Sequence, residues 1–223
     1  MGAGAASATV GYFIRMMHQR ISVFPLPGAV LFPSLQLPLH IFEPRYCALV
    51  SDSLARDRLI GMIQPRQIIG SSAVKPPLYD IGTIGRIAEV EALDEGRFNI
   101  ILEGIALFRV IRELDVMTQF RQVEGEWIEA QDDALAAVER AALENEAKRF
   151  AAWSGYRVDW DGVTRLDDMT LVNAIAQIAP FDAAAKQALL EAATLSERAE
   201  LVMQLMRFAT TRGDPGDNSV TLQ

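Results

Sequence analysis

Cysteine, histidine and lysine are scarce in this chain, and each scarcity removes a class of function. One residue of 223 is cysteine, Cys47, and two are histidine, His18 and His40. A single thiol excludes an internal disulfide framework and suits a reducing compartment. Cys47 follows Tyr46 in an apolar run and reads as a buried, inert thiol. Two imidazoles beside one thiol leave too few soft ligands for a structural zinc site, so neither metal nor cofactor is expected. Lysines number three, Lys75, Lys148 and Lys186, and the formal net charge is −8. A nucleic-acid binder usually carries a basic stripe, and neither half of the chain has one. Residues 20–125 hold 11 basic and 12 acidic side chains; residues 126–223 hold 9 and 17, so the acidity sits in the second half.

Longer patterns are missing too. No window approaches the roughly 20 apolar residues that cross a bilayer. The start, Met1-Gly2-Ala3-Gly4-Ala5-Ala6-Ser7, lacks the basic beginning of a signal peptide, and Ala6 breaks the myristoylation pattern. These readings predict a soluble cytoplasmic protein without membrane association. No G-x-x-x-x-G-K-[ST] loop is present, and no serine stands in a nucleophile setting with a lysine partner. Half of the residues are hydrophobic and 22% are charged, which fits a globule with a substantial core.

What the chain has in quantity is proline at its front. Five prolines and one glycine lie among large apolar residues in Val23-Phe24-Pro25-Leu26-Pro27-Gly28-Ala29-Val30-Leu31-Phe32-Pro33 and Leu37-Pro38-Leu39-His40-Ile41-Phe42-Glu43-Pro44-Arg45-Tyr46. Each proline fixes φ, removes a donor and drives its predecessor toward extended backbone. Short extended pieces joined by rigid corners follow.

This run resembles the opening of the Lon N-terminal domain, the substrate-binding region of Lon-type ATP-dependent proteases, which also occurs free-standing. Further stretches are similar in order: Leu59–Pro65, Asp80–Ile87, Gly96–Gly104 with Phe108–Val110, and Pro180-Phe181 with Lys186–Leu190 and Arg198. The likeness covers about Arg20 to Arg212, with one departure, Ser34-Leu35-Gln36, where the family is Gly-rich. It implies an α+β chain, a PUA-like β pseudobarrel lobe followed by a C-terminal helical bundle. It also implies that the chain ends where an ATPase would begin.

The residues point to the same division. Residues 1–19 read as an extension, 20–125 as the β-rich lobe, 126–212 as the bundle and 213–223 as a disordered tail. In the first part, Asp94-Glu95-Gly96 marks a hairpin, Glu103-Gly104 a turn or bulge, and residues 70–77 a loop. Tyr46, Leu49, Val50 and Leu54 recur at helical spacing after Pro44. In the second, Leu135, Val138, Ala142 and Phe150, with Trp153, predict one helical stripe. Leu171, Val172, Ile175 and Ile178, and then Leu201, Val202, Leu205 and Met206, predict two more. Asp167 or Asp168, Asp182 and Thr194-x-x-Glu197 supply caps.

Site candidates are few. Pro25, Gly28, Phe32, Pro33, His40, Glu43, Arg45 and Tyr46 carry the signature and read as structural, His40 as a hydrogen-bonded histidine and Glu43 with Arg45 as an ion pair. Trp153, Tyr156 and Met62 are the candidates for contact with peptide, since aromatics and methionine suit recognition surfaces. The leading expectation is a non-enzymatic module that binds unfolded or extended polypeptide. It would serve as an adaptor or modulator in protein quality control, with an ATP-dependent protease or another quality-control protein as a further partner. A groove between the lobes is the expected seat. The alternative is an RNA-binding PUA-like module built on Arg56, Arg58, Arg66 and Arg86. A cryptic hydrolase has no nominated nucleophile.

Overall fold

A computed structural model describes residues 18–66, 75–128 and 134–212, and the chain divides into two compact units after Ala130. Residues 1–17 of the expected extension, residues 70–74 of the 70–77 loop and the expected tail lie outside the described residues.

The first unit is built from β1 (Gln19–Pro25), β2 (Gln36–Ile41), helix α1 (Pro44–Leu54), β3 (Leu59–Ile63), β4 (Ile81–Ala92), β5 (Phe98–Glu113) and β6 (Gln122–Ile128). The sheet order is β2-β5-β4-β3-β1-β6, and β6 returns to pair with β5, which closes a barrel. Only β1 and β3 are parallel, so α1 lies in the connection between them, as a parallel pair requires a crossover. A single 3₁₀ turn, Asp94–Gly96, joins the two longest strands. Glu103-Gly104 is a bulge and no turn: β5 runs straight through, while Ile84 faces Ala106 and Gly85 faces Gly104. β6 extends past Gly125, with Glu126, Trp127 and Ile128 pairing Arg109, Phe108 and Leu107, so the expected boundary at 125 cuts a strand.

The sixteen residues of β5 serve two structures at once. Its second half pairs β6 and the start of β4 inside the barrel. Its first half pairs β2 and the far end of β4, forming a three-strand extension. Ile21, Val23, Ile63, Ile84, Phe108 and Val123 fill the barrel. Tyr46, Leu49 and Val50 of α1 pack with Phe24, Leu31, Ile41, Ile60, Ile100 and Leu102 in a second cluster beneath the extension. Full burial of such side chains is worth about 1.5–3 kcal/mol each. Met62 belongs to this cluster with 2% exposure. That corrects its nomination as a peptide contact: the side chain has no surface to offer.

The proline-rich front is pinned by polar groups placed far downstream. Gln64, itself buried, donates Nε2 to the carbonyls of Leu26 (2.8 Å) and Ala29, and accepts from the Gly28 amide (3.0 Å). Thr83 Oγ1 donates to the Leu31 carbonyl, and Tyr46 Oη to that of Pro25 at 2.9 Å. Burial raises the Tyr46 phenol above its usual pKa, which keeps this donor protonated. Ser34 adopts φ = 67°, the left-handed conformation that glycine reaches without penalty.

At the other end of β5, Arg121 forks onto Glu113 (2.8 and 2.7 Å) and donates to the Pro76 carbonyl, while Lys75 sits 2.8 Å from the same carboxylate. The Arg121 hydrogen bond holds the Glu113 carboxyl below the usual range. A depressed folded-state pKa contributes stability above the unfolded value, about pH 4.3, and that contribution is lost as pH falls through the folded value. Wild type is therefore expected to exceed Glu113→Gln in urea stability at pH 7 and to lose that margin progressively as pH falls below about 4. A margin unchanged at pH 2 would refute the assignment.

The second unit comprises α2 (Ala137–Ser154), α3 (Trp160–Val163), α4 (Asp168–Ile178), α5 (Ala183–Glu191) and α6 (Leu195–Arg212). Asp167 caps α4 through the Thr170 amide, and Asp182 caps α5 through that of Ala185, both at 2.7 Å. The Thr194 hydroxyl accepts from Glu197 N, and Glu197 reaches back to the Ala193 amide, one residue earlier than a standard box. The expected α2 stripe is out of phase, and that of α4 holds at Leu171 and Val172 but not at its end. Val138 is 75% exposed and Ile178 is 70% exposed. The buried side of α2 is Leu143, Glu146, Ala147, Phe150 and Ala151. Glu146 lies on that side because Arg149 (3.3 Å) and Arg207 (3.0 Å) hold its carboxylate. Arg198 is also buried, donating to Asn173 Oδ1 (2.9 Å) and the Leu189 carbonyl (2.8 Å).

Candidate functional site

The three-strand extension carries an open outer face. Side chains alternate across a strand, so the register places three rows there. Gln36, Glu103 and Arg86 form one, Pro38, Ile101 and Glu89 the next, and His40, Asn99 and Glu91 the third. A bulge at Ala88 keeps Arg86 and Glu89 on the same side. The opposite alternation, Leu37, Leu39, Ile41, Ile100 and Leu102, supplies the core, which is why this face is left for solvent. A shallow cavity of about 440 Å³ lies on it, lined by residues 38–40, 89–91 and 99–101.

Its polar groups are organised. His40 Nδ1 donates to Asn99 Oδ1 at 2.8 Å, and Asn99 Nδ2 donates to Glu91 Oε2 at 2.8 Å. This cross-strand relay defines the imidazole tautomer. Phe42 continues the line of β2, 62% exposed, with its ring 5.9 Å from that of His40. The ring is thus open to solvent at the end of an edge strand. Beyond it, Arg45 bonds Glu43 at 2.8–2.9 Å and stacks on the Tyr46 ring at 4.4 Å. Both members are solvent-exposed, so the pair orders the start of α1 more than it stabilises it.

Of the signature residues, His40 alone lies on this face. Phe32 is fully buried, Tyr46 is buried at 5% exposure, and Gly28 turns with φ = 82°. Trp153 and Tyr156 belong to the other unit. Trp153 is half-buried against Phe150, ring centres 5.7 Å apart, and Tyr156, just past the Gly155 cap, is 46% exposed. The residues that sequence reasoning missed are Phe42, Glu89, Glu91, Asn99 and Ile101. Their available signal was alternation: Glu89-x-Glu91 and Asn99-x-Ile101 are polar or small-patch positions at period two in otherwise apolar strands. The four arginines of the RNA reading are partly spent. Arg56 pairs with Asp52 at 3.0 Å, and Arg66 pairs with Asp80 at 2.8 Å and stacks on Tyr79. Among the described residues no group of three His, Cys, Asp or Glu is arranged to hold a metal ion. No helix among them is long and apolar enough to cross a membrane.

A closed β lobe with a long hairpin, followed by a helical unit, is the architecture of isolated Lon N-terminal domains. A Lon N-terminal domain protein from Xanthomonas campestris superposes with a TM-score of 0.63 at 22% identity, covering 85% of this chain and 98% of that one. The N-terminal domain of a Mycobacterium avium complex Lon protease does so with 0.63 at 17%. Residues 20–207 match the family model described as the ATP-dependent protease La (LON) substrate-binding domain, and the chain belongs to that family. Lon protease 2 of Myxococcus xanthus is 26% identical over 84% of this chain, and that of Sorangium cellulosum 34% over 40%. The chain spans 23% of the Myxococcus protein's length.

Proposed function

We propose that this chain is a non-catalytic recognition module that holds unfolded or extended polypeptide on the outer face of β2, β5 and β4. In a cytoplasmic setting it acts as an adaptor or modulator of quality control, delivering clients to an ATP-dependent protease. The observation that carries this reading is Phe42, an exposed aromatic at the end of an edge strand, beside an apolar-floored cavity. Main-chain groups of an edge supply affinity for any extended chain, and an adjacent anchor supplies preference for apolar residues. Membership of a substrate-binding family supports the same reading.

Fluorescence anisotropy against a reduced, permanently unfolded polypeptide, without nucleotide, tests it. Saturable binding in the micromolar range is expected, and Phe42→Ser should weaken it about tenfold, the effect of losing one anchor. Because Phe42 is exposed, the variant should melt like wild type. Unchanged affinity in a folded Phe42→Ser protein would remove this face from consideration.

A further inference from the structure

We infer that the β4 rim of this face selects extended segments in which basic residues alternate with an apolar one, a basic–apolar–basic pattern added as a strand along Glu89-Val90-Glu91. This inference rests on the polypeptide-binding reading above and gives it a substrate class.

Three observations lead there. First, β4 is paired on both sides only as far as Arg86. β3 ends its register at Leu59↔Arg86, whereas β4 continues to Ala92 against β5 alone. Among the described residues, the stretch after Ile87 is therefore a sheet edge. Such an edge is a template for one more strand. Second, the charge along this edge is of one sign. The three rows hold the carboxylates of Glu89, Glu91 and Glu103 against the single guanidinium of Arg86. Glu89 is exposed and makes no hydrogen bond or ion pair with any described residue. Glu91 gives one oxygen to Asn99 and keeps the other open. Third, the spacing suits a strand. Residues two apart on a strand lie about 6.6 Å apart on one face, so a partner strand would set its own alternate side chains opposite Glu89 and Glu91. Its intervening residue would face the side of Val90, which is 38% exposed and apolar.

Each consequence has a counterpart in the ligand. Opposite charges directly across a strand pair are favourable, and like charges are not. A lysine–valine alternating segment would satisfy both carboxylates and cover Val90. A segment with just two lysines, side by side, would place them on opposite faces and satisfy only one.

The test uses the intact protein with fluorescein-labelled peptides of equal length and otherwise uncharged sequence, carrying Lys-Val-Lys, Glu-Val-Glu or Ser-Val-Ser at the centre, and one of the first composition with its two lysines adjacent. At low salt the Lys-Val-Lys peptide is expected to bind about fivefold tighter than the Ser-Val-Ser and the adjacent-lysine peptides, as two exposed cross-strand pairs allow. The Glu-Val-Glu peptide should bind weakest, and 0.5 M salt should erase the differences. The double variant Glu89→Gln/Glu91→Gln should remove the preference and keep its affinity for the uncharged peptide. Equal binding of Lys-Val-Lys and Glu-Val-Glu peptides, or a preference that survives the double variant, overturns this inference while the unfolded polypeptide still binds. Failure of every chain to bind, the unfolded polypeptide included, overturns it together with the reading beneath it.

Discussion

Alanine at position 104 is expected to cost about 3 kcal/mol of folding stability, read as a shift of the urea midpoint at unchanged slope. A Cβ there would run into the carbonyl oxygen of Phe32, with the carbonyl carbon at 3.0 Å and Pro33 Cα at 3.2 Å. The obstacle is backbone, so no rotamer change relieves it. Nor can that backbone retreat, because the Phe32 side chain is fully buried on its far side. The two segments are also laced together: the Ser34 amide donates to the Gly104 carbonyl, and the Gly104 amide to the Leu35 carbonyl, both at 2.8 Å. Gly104 thus sets how closely the proline-rich front approaches β5. A variant within 1 kcal/mol of wild type would show that the corner yields where its packing says it does not.

Removing the Gln64 side chain is the second large effect. Gln64→Ala should lower stability by about 2 kcal/mol, since two carbonyls and one amide of the Leu26–Ala29 corner lose their partner together. Prolines 25 and 27 contribute no donors of their own, so the corner has few alternative bonds to form. The Leu26 amide, bonded to the Ile63 carbonyl at 3.2 Å, would remain. Hydrogen exchange makes the cause visible. The Gly28 amide should lose its protection in the variant while the Leu26 amide keeps much of its own. Gly28 exchange indistinguishable from wild type would separate Gln64 from the clamp.

These two positions also show what could be read from the chain before its structure. The prolines announced extended pieces and corners, and Phe32, Tyr46 and Leu49 announced a core, because both follow from local chemistry. The order of lobes followed from the same cues and from the family likeness. Gln64 was silent: nothing in Ile63-Gln64-Pro65 says that a side chain will reach back to residues 26–29. Glu103-Gly104 read as a turn or a bulge, and the bulge is there, but the role of Gly104 as a close-approach point depends on Phe32, which is distant in sequence. Misphasing of α2 has a comparable cause. Its buried side sets Glu146 and two alanines beside Leu143 and Phe150, and hydropathy alone cannot rank an ion-paired glutamate above Val138. The face with Phe42, Glu89 and Glu91 was silent for another reason: two carboxylates in a strand look like any solvated pair, and Phe42 looks like one more apolar residue of the proline-rich run, whereas Met62, of a type that suits recognition surfaces, lies in the core.

The order in which β1 finds its neighbours has a consequence for synthesis. Ile21 and Val23 emerge from the ribosome early, but Val23 must wait for Gly61 and Ile21 for Val123, at the far end of the lobe. Pairings so distant in sequence are slow to form, and until the last one closes, β1 and β5 each keep an open edge. A half-made copy of this chain is therefore itself an extended, edge-bearing polypeptide.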